Sequence, residues 1–327
     1  MLSVVQSLTP IWPCDGSVKQ GMIQSQKVSI VTCGENLLTR TFYVNGEFVA
    51  ENEARISVLD RGFLFADAVY EVTSVLDGRL IDNTNHMTRL RRSLAELSMD
   101  SPGSDKEIVA IQEELVSRNN LNEGLVYLQI SRGAADRDFA FPQNIEPSLV
   151  MFTQEKNLLT SPKAETGLSV ITVDDIRWSR RDIKTVGLLA PVLAKQAAAA
   201  AGADDAWMVE DGYVTEGSSN NAYIIDENGV VMTRHLGNEI LSGITREAVL
   251  KLSDVCQIQV VENPFTPEQA YQAKEAFITS ASMFVMPVVS IDGHTIGDGK
   301  PGDVTKRLRD LYISIARERS DFSHVEA

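Results

Sequence analysis

The chain has few residues suited to crosslinking or to metal binding. Its 327 residues include three cysteines, Cys14, Cys33 and Cys256, and only four histidines. No cysteines stand in C-x-x-C spacing and no histidines are four residues apart, which argues against a disulfide framework and against a metal site. The scarcity of cysteine fits a reducing compartment, so we expect a cytoplasmic protein without a bound metal.

Positive charge and long apolar runs are also scarce. Lys and Arg number 30 against 45 Asp and Glu, a net charge of −15, which argues against nucleic acid or an anionic membrane as a partner. No run approaches the ~18 apolar residues of a membrane span. The first residues show no basic segment followed by an apolar one, which argues against a secretory signal. We therefore expect small-molecule partners, with no nucleic acid and no membrane.

The composition that remains is that of a folded protein, with 43% hydrophobic and 23% charged residues. Strand-like runs alternate with helical periods, which predicts a mixed α/β (α+β) fold, and the length favours about two domains. Residues 1–40 are polar without a sustained period and are expected to be a poorly ordered extension. We predict a small N-terminal α/β domain over 41–157, a linker over 158–165 and a larger C-terminal domain over 166–327.

Short turn and capping signals mark individual elements. Asn45-Gly46 lies between two apolar runs and predicts a type I′ hairpin. The Ser-x-x-Glu sequence at 104–107 is a capping box ahead of an apolar helix face. Pro191 and Gly202 predict the beginning and end of a helix over 191–201. Further hairpin signals are Asp77-Gly78, Asp211-Gly212 and Asp292-Gly293.

Several segments carry groups that together suit a phosphorylated aldehyde, although each alone has an ordinary structural explanation. Residues 243–245 (Gly-Ile-Thr) at a helix start offer N–H groups to a phosphate, and Ser280 and Ala281 can add a second set of donors. Lys184 can form a Schiff base with an aldehyde. Glu216 can keep a pyridine nitrogen protonated. One molecule combines phosphate, aldehyde and pyridine, namely pyridoxal 5′-phosphate.

The same segments, in this order and spacing, resemble the fold type IV pyridoxal-phosphate aminotransferases. The resemblance rests on Asp-Ile-Lys-Thr at 182–185, Val-Thr-Glu-Gly-Ser-Ser at 214–219 and Gly-Ile-Thr at 243–245. Asp-Arg-Gly-Phe-Leu-Phe-Ala-Asp at 60–67 and Asp-Ile-Arg-Trp at 175–178 are typical of the D-amino acid aminotransferases. The resemblance extends from about Phe42 to Leu311. It implies a two-domain fold with the cofactor between the domains.

The resemblance also implies a role for each site residue. Lys184 matches the Schiff-base lysine, which moves the proton between the substrate α-carbon and the cofactor. Glu216 matches the acid that pairs with the ring nitrogen, and Arg89 matches the phosphate-binding arginine. The family usually has a Thr-Thr pair where this chain has Ala281-Ser282, so one hydroxyl is lost. The other cofactor-binding positions are Ser219, Ile244, Thr245, Ser280 and Ala281.

Substrate recognition departs from the family pattern. In D-amino acid aminotransferases a tyrosine and an Arg-x-His pair from the neighbouring subunit hold the substrate carboxylate, which implies a homodimer. Tyr70 matches the tyrosine and Arg137 the arginine, but Phe139 stands at the histidine position. Asp138 adds a negative charge that can pair with Arg137. The implied reaction transfers an amino group from a D-amino acid, such as D-alanine or D-glutamate, to 2-oxoglutarate or pyruvate.

Four alternatives remain open from the sequence. An (R)-selective amine transaminase is favoured by Phe139 and opposed by Arg137. A branched-chain L-amino acid aminotransferase usually carries Glu-Gly-x-Gly-x-Asn where this chain has Glu-Gly-Ser-Ser-Asn-Asn at 216–221. An aminodeoxychorismate lyase would use the same lysine for elimination and would need no oxo acid. A non-enzymatic binding scaffold is opposed by the presence of the lysine, the acid and the phosphate arginine together.

Overall fold

The computed structural model describes residues 40–319, so the predicted N-terminal extension lies outside the described residues except for Arg40. Residues 41–155 contain a six-stranded antiparallel sheet with the order β2-β1-β6-β5-β3-β4. Its strands are β1 Thr41–Val44, β2 Glu47–Ala50, β3 Ala68–Leu76, β4 Arg79–Leu80, β5 Glu123–Ser131 and β6 Ser148–Glu155. The accompanying helices are α1 Arg61–Phe65, α2 Asn83–Glu96 and α3 Asp105–Arg118.

The rest of the described chain contains a mixed nine-stranded sheet with the order β12-β11-β10-β13-β14-β7-β8-β9, and β15 pairs with β14. Its strands are β7 Leu168–Asp174, β8 Asp205–Glu210, β9 Tyr213–Gly217, β10 Asn221–Ile225, β11 Val231–Thr233, β12 Val260–Glu262, β13 Glu275–Ser280, β14 Phe284–Ile291 and β15 His294–Thr295. The helices are α4 Pro162–Thr166, α5 Leu189–Ala200, α6 Ile244–Val255, α7 Pro267–Tyr271 and α8 Asp303–Arg319. The two sheets together confirm the predicted mixed fold class.

The predicted hairpins are confirmed by their backbone conformations. Asn45 and Gly46 have φ values of 46° and 102°, and β1 and β2 pair antiparallel on either side of them. A type I′ turn requires positive φ at both central residues, which Asn and Gly adopt at least cost. The three Asp-Gly pairs have positive φ at both residues in the same way.

Helix ends follow the capping signals with one correction. Ser104 Oγ accepts from the N–H of Glu107 and the Glu107 side chain accepts from the N–H of Ser104, which confirms the capping box. The predicted start of the alanine-rich helix at Pro191 was wrong, because α5 begins at Leu189. Proline is tolerated there because the first helical N–H groups need no intrahelical acceptor.

A shared hydrophobic cluster joins the two sheets. It includes Leu76 of β3, Tyr223 of β10 and Leu158 from the segment between the sheets, all nearly inaccessible to solvent. The connecting segment, predicted as a linker, therefore places a buried leucine in the core and continues into α4. No helix within residues 40–319 has the length and apolar composition that crossing a bilayer requires.

Candidate active site

The segment that follows β7 returns to the first sheet and brings Lys184 to it. The Tyr70 N–H donates to the Lys184 carbonyl at 3.0 Å, and the Val186 N–H donates to the Ala68 carbonyl at 3.1 Å. Ile183 is buried in the hydrophobic cluster of the first sheet. Lys184 Nζ lies 4.2 Å from the centre of the Tyr70 ring and has no carboxylate partner among residues 40–319. A basic amine is thus held in place while remaining available for reaction.

Glu216 projects from β9 into the same cleft and is almost fully buried. One carboxylate oxygen accepts from the Arg177 guanidinium. The other accepts from Asn221 Nδ2 at 3.0 Å and from the Leu241 N–H at 3.1 Å. Burial raises the pKa of the Glu216 carboxyl, and the adjacent Arg177 charge counteracts that rise. The carboxylate is therefore fixed in position and its charge is compensated on one side.

Arg89 of α2 enters the cleft as part of a buried ionic cluster. Its Nε and Nη2 donate to the two oxygens of Glu71 at 2.8 and 2.7 Å, and its Nη1 donates to the Ser242 carbonyl at 2.8 Å. His86 Nδ1 lies 2.7 Å from Glu71 Oε2. Burial alone would raise the pKa of Glu71, but the charge and hydrogen bonds of Arg89, together with His86, lower it to about 2. Glu71 therefore remains ionised and orients Arg89.

The beginning of α6 and the end of β13 form a set of donors at the same end of the cleft. Gly243 caps α6 and its N-terminus receives no side-chain cap. A Cβ at Gly243 would lie 2.0 Å from Asn221 Oδ1, so the close approach of the two segments requires glycine. Ser280 Oγ is buried without a hydrogen-bond partner among the described residues. Free N–H groups and an unpartnered hydroxyl suit an anion such as a phosphate.

These groups line one cavity of about 190 Å³ between the two sheets. It brings together nine of the residues predicted from the sequence: Tyr70, Arg89, Lys184, Glu216, Ser219, Ile244, Thr245, Ser280 and Ala281. The other two, Arg137 and Phe139, lie outside the cavity on the loop between β5 and β6, where Phe139 is 77% exposed.

The predicted pairing of Asp138 with Arg137 was wrong. Asp138 does not pair with Arg137: its Oδ1 accepts from the Ala140 N–H at 3.1 Å, and Arg137 has no ion pair within residues 40–319. The short spacing explains the difference, because an aspartate readily accepts from the N–H two residues ahead of it.

Three residues of the site were missed by reasoning from the sequence. Arg177 lay in a motif that was singled out without a role for it, Glu71 follows the candidate substrate residue Tyr70, and Asn221 follows the Glu-Gly-Ser-Ser segment. An acidic residue at a buried position of the apolar strand β3 was a usable signal for Glu71, because a buried charge requires a partner. The contacts of Arg177 and Asn221 with Glu216 join separate segments, and no local pattern predicts them.

Comparison with known proteins gives the family. A family model described as amino-transferase class IV matches residues 68–291. The chain belongs to the class IV aminotransferases. Its relatives include the D-alanine aminotransferase of Staphylococcus aureus (strain MSSA476), 39% identical over 271 residues that cover 83% of this chain and 95% of the relative. The D-alanine aminotransferase of Bacillus licheniformis is 39% identical over 267 residues, with coverage of 81% and 93%.

Solved structures of branched-chain amino acid aminotransferases share the fold. The T.th. enzyme with pyridoxamine 5′-phosphate has a TM-score of 0.80 and 27% identity, covering 86% of this chain and 95% of that one. The Escherichia coli enzyme has a TM-score of 0.79 at 23% identity, covering 85% and 94%, which shows the fold alone. The predicted fold type IV architecture and aminotransferase class are thereby confirmed. No cluster of His, Cys, Asp or Glu able to hold a metal occurs in the described part of this aminotransferase.

Proposed function

We propose that this aminotransferase uses pyridoxal 5′-phosphate to move the amino group of a D-amino acid, such as D-alanine or D-glutamate, to a 2-oxo acid. Pyruvate and 2-oxoglutarate are the proposed acceptors. The observation that carries the proposal is the meeting of Lys184, Glu216 and Arg89 in one cavity. The relatives named D-alanine aminotransferase, 39% identical over most of this chain, support the choice of substrate.

The described residues fit the cofactor. Arg89, the N–H groups at the beginning of α6 and the unpartnered Ser280 hydroxyl would hold its phosphate. Ser219 and Ala281 would line its ring. The Ser219 turn is fixed from both sides, because Asp205 accepts from Ser218 Oγ at 2.5 Å and from Asn220 Nδ2 at 2.7 Å. Pyridoxal phosphate supplies an aldehyde that receives the amino group and a cationic ring that accepts the electrons released at the α-carbon.

The protein's own groups then divide the work between them. Lys184 Nζ would take the proton from the substrate α-carbon and deliver it to the cofactor. Its position beside Tyr70 keeps the amine in the cavity. Glu216 holds a proton on the pyridine nitrogen, and its hydrogen bonds to Asn221 and the Leu241 N–H prevent it from turning away. Arg89 cannot leave the phosphate end because Glu71 holds two of its nitrogens.

The active unit is proposed to be a homodimer. Exposed apolar side chains mark protein interfaces when they cluster, and α5 presents Leu189, Val192 and Leu193 at helical spacing, each more than half exposed to solvent. Arg137 and Phe139 lie on another exposed apolar region. In the homodimer, Arg137 and Phe139 of one subunit complete the substrate site of the other, and Tyr70 lies on the receiving side.

Mixing two impaired variants, assayed with D-alanine well below the native KM, tests this arrangement. A Lys184→Ala subunit paired with an Arg137→Ala subunit contains one site with both native residues if Arg137 acts across the interface. Random pairing then restores about a quarter of the native activity towards D-alanine, since half of the dimers are hybrids with one intact site each. Co-purification of untagged native subunits with affinity-tagged Lys184→Ala subunits is the control for exchange. Absence of recovery, with exchange demonstrated, would place Arg137 outside the partner's site.

Single-turnover absorbance spectra test the substrate class. The protein is mixed separately with D-alanine, D-glutamate, L-leucine and an (R)-arylalkylamine, and conversion from the pyridoxal to the pyridoxamine form is followed. Conversion by the two D-amino acids alone is expected. Conversion chiefly by the (R)-amine would favour the (R)-selective amine transaminase. Conversion chiefly by L-leucine would favour the branched-chain activity.

The proposed location is the cytoplasm. The scarcity of cysteine and the excess of acidic residues support it, because they fit a reducing compartment and a protein without an anionic-membrane partner. Fractionation of cells that produce the native chain, followed with an antibody, tests this placement directly. Recovery of the protein in the cytoplasmic fraction is expected.

A further inference from the structure

A buried arginine, Arg61, holds the backbone of the loop that carries Arg137. Arg61 Nη1 donates to the Asp138 carbonyl at 2.6 Å and to the Ala140 carbonyl at 3.4 Å. Arg61 Nε donates to Asp67 at 2.8 Å, so its charge is compensated. Asp67 also binds Arg132, and the Arg132 guanidinium lies 3.6 Å from the centre of the Phe141 ring. The loop backbone on either side of residue 139 is therefore held by buried groups, although its side chains are exposed.

Arg137 at the tip of this loop contacts two aromatic rings and no carboxylate among the described residues. Its guanidinium carbon lies 5.2 Å from the centre of the Phe65 ring and 5.3 Å from the centre of the Phe139 ring. The two ring centres are 5.4 Å apart. Distances below about 6 Å are those of cation–π contacts. The three side chains thus form one mutual contact, and no carboxylate of the described residues compensates the charge of the arginine.

We propose that Phe65 and Phe139 form an aromatic clamp that positions Arg137 for a substrate carboxylate. The inference rests on the proposed function, in which Arg137 binds the α-carboxylate in the partner's site. Phe139, in place of the family's histidine, is then a specificity-determining residue. It selects amino acids over simple amines by orienting a cation instead of donating a hydrogen bond.

The chemistry of the two rings supports this assignment. A ring face attracts the guanidinium without occupying its N–H donors, so the donors along its edge stay free to bind a carboxylate in a bidentate manner. A carboxylate partner such as Asp138 would have occupied those donors, but Asp138 is turned to the Ala140 N–H instead. A histidine at residue 139 would change its charge near pH ~6.5, whereas a phenylalanine ring does not. The clamp therefore adds no group to the carboxylate site that changes its charge in the neutral range.

Substitutions of the rings test the clamp in the holoenzyme. Phe139→Leu and Phe65→Leu are each expected to raise KM for D-alanine about two- to fivefold with little change in kcat, in line with one exposed cation–π contact. Phe139→Tyr keeps a ring and should keep the native KM. The matched control is Phe63→Leu, because Phe63 is 68% exposed on the same helix and has no ring contact with Arg137 among the described residues. Inhibition by propionate, a plain carboxylate, provides a second readout and should weaken by the same factors.

Arg137→Ala separates failure of the clamp from failure of the proposed function. Loss of a hydrogen-bonded charge is expected to raise KM about ten- to a hundredfold. If Arg137→Ala has this effect but both leucine variants behave like Phe63→Leu, the clamp is wrong and the carboxylate role of Arg137 stands. If Arg137→Ala leaves KM unchanged, the carboxylate role itself is wrong. Phe139→His should make KM fall as the pH drops below about 6.5, and a KM independent of pH would show that residue 139 lies away from the carboxylate.

Discussion

Arg89 binds both carboxylate oxygens of Glu71, with nitrogen–oxygen distances of 2.8 and 2.7 Å, and both side chains are buried beside the cavity. The pair leaves Arg89 Nη1 directed to the Ser242 carbonyl, at the point where α6 begins. The arginine of the proposed phosphate site is therefore already paired with a carboxylate, that of Glu71 in β3 of the first sheet. A bound phosphate would therefore contact the Arg89–Glu71 pair, whose charges balance each other, and the free N–H groups of α6.

Glu71→Gln is expected to destabilise the protein at pH 7 by ~3 kcal/mol, because it leaves Arg89 buried without a charged partner. The pKa of Glu71 is lowered from 4.5 to about 2, so the native pair stabilises the fold fully above pH 4.5 and is lost as the pH falls towards 2. The difference between native and variant should therefore shrink in acid. Urea unfolding at pH 7 and pH 3 measures both effects.

The control for that comparison is Glu107→Gln on α3. Glu107 also has a lowered pKa, chiefly through the Ser104 N–H, but it is fully exposed and a glutamine can complete the capping box. Its substitution should leave unfolding almost unchanged at both pH values. Equal losses in the two variants would remove the special role of the buried Glu71–Arg89 pair.

Arg177→Met is expected to move the acid limb of the kcat/KM profile to higher pH. Burial already raises the pKa of Glu216, and Arg177 is the charge that counteracts it, so its removal leaves the carboxyl protonated over a wider pH range. Arg177→Lys keeps the charge and should shift the limb less. Initial rates with D-alanine between pH 5 and 9 measure the shift, and identical acid limbs in all three proteins would refute it.

Gly243→Ala is expected to weaken cofactor binding about tenfold, because the new Cβ would lie 2.0 Å from Asn221 Oδ1 and displace the side chain that binds Glu216. Asn221→Ala removes the obstacle, so adding Gly243→Ala to it should cost much less than in the native protein. Fluorescence titration of the four proteins with pyridoxal phosphate completes the cycle. Additive losses would show that the two residues act independently.

Lys184→Ala is expected to lower transamination more than about a thousandfold, because no other described amine lines the cavity to carry the proton. The fold should persist, since the hydrogen bonds of Lys184 with Tyr70 and Ser93 are made by its main chain. Circular dichroism and thermal melting provide the control. A variant that turns over D-alanine at the native rate would refute the assignment.

Local signals in the sequence predicted several turns, helix ends and one part of the site. Asn-Gly and Asp-Gly turns need positive φ, a capping box satisfies free N–H groups, and Gly-Ile-Thr begins α6 as predicted. Each signal acts within a few residues. The resemblance then assigned roles to residues that lie far apart in the sequence, and the cavity contains nine of them.

Contacts between separate segments could not be predicted from local patterns. The hydrogen bond from Asn221 to Glu216 and the ion pair between Arg177 and Glu216 depend on how three segments pack, which no spacing encodes. The expected pairing of Asp138 was wrong because a nearby backbone N–H competed successfully with Arg137. Contacts of this kind are decided by the three-dimensional arrangement of each donor and acceptor.

The pairing of Lys184 with β3 limits how this enzyme can be redesigned. Val69 and Thr185 form an isolated bridge, and the Tyr70 N–H and Lys184 carbonyl share a hydrogen bond across the same step. Inserting or deleting a residue directly beside Lys184 would change which side chain faces the cavity at this step, because successive side chains of an extended chain point to opposite faces. Length variation therefore belongs elsewhere, and the residues that adjoin the lysine can be altered only by substitution.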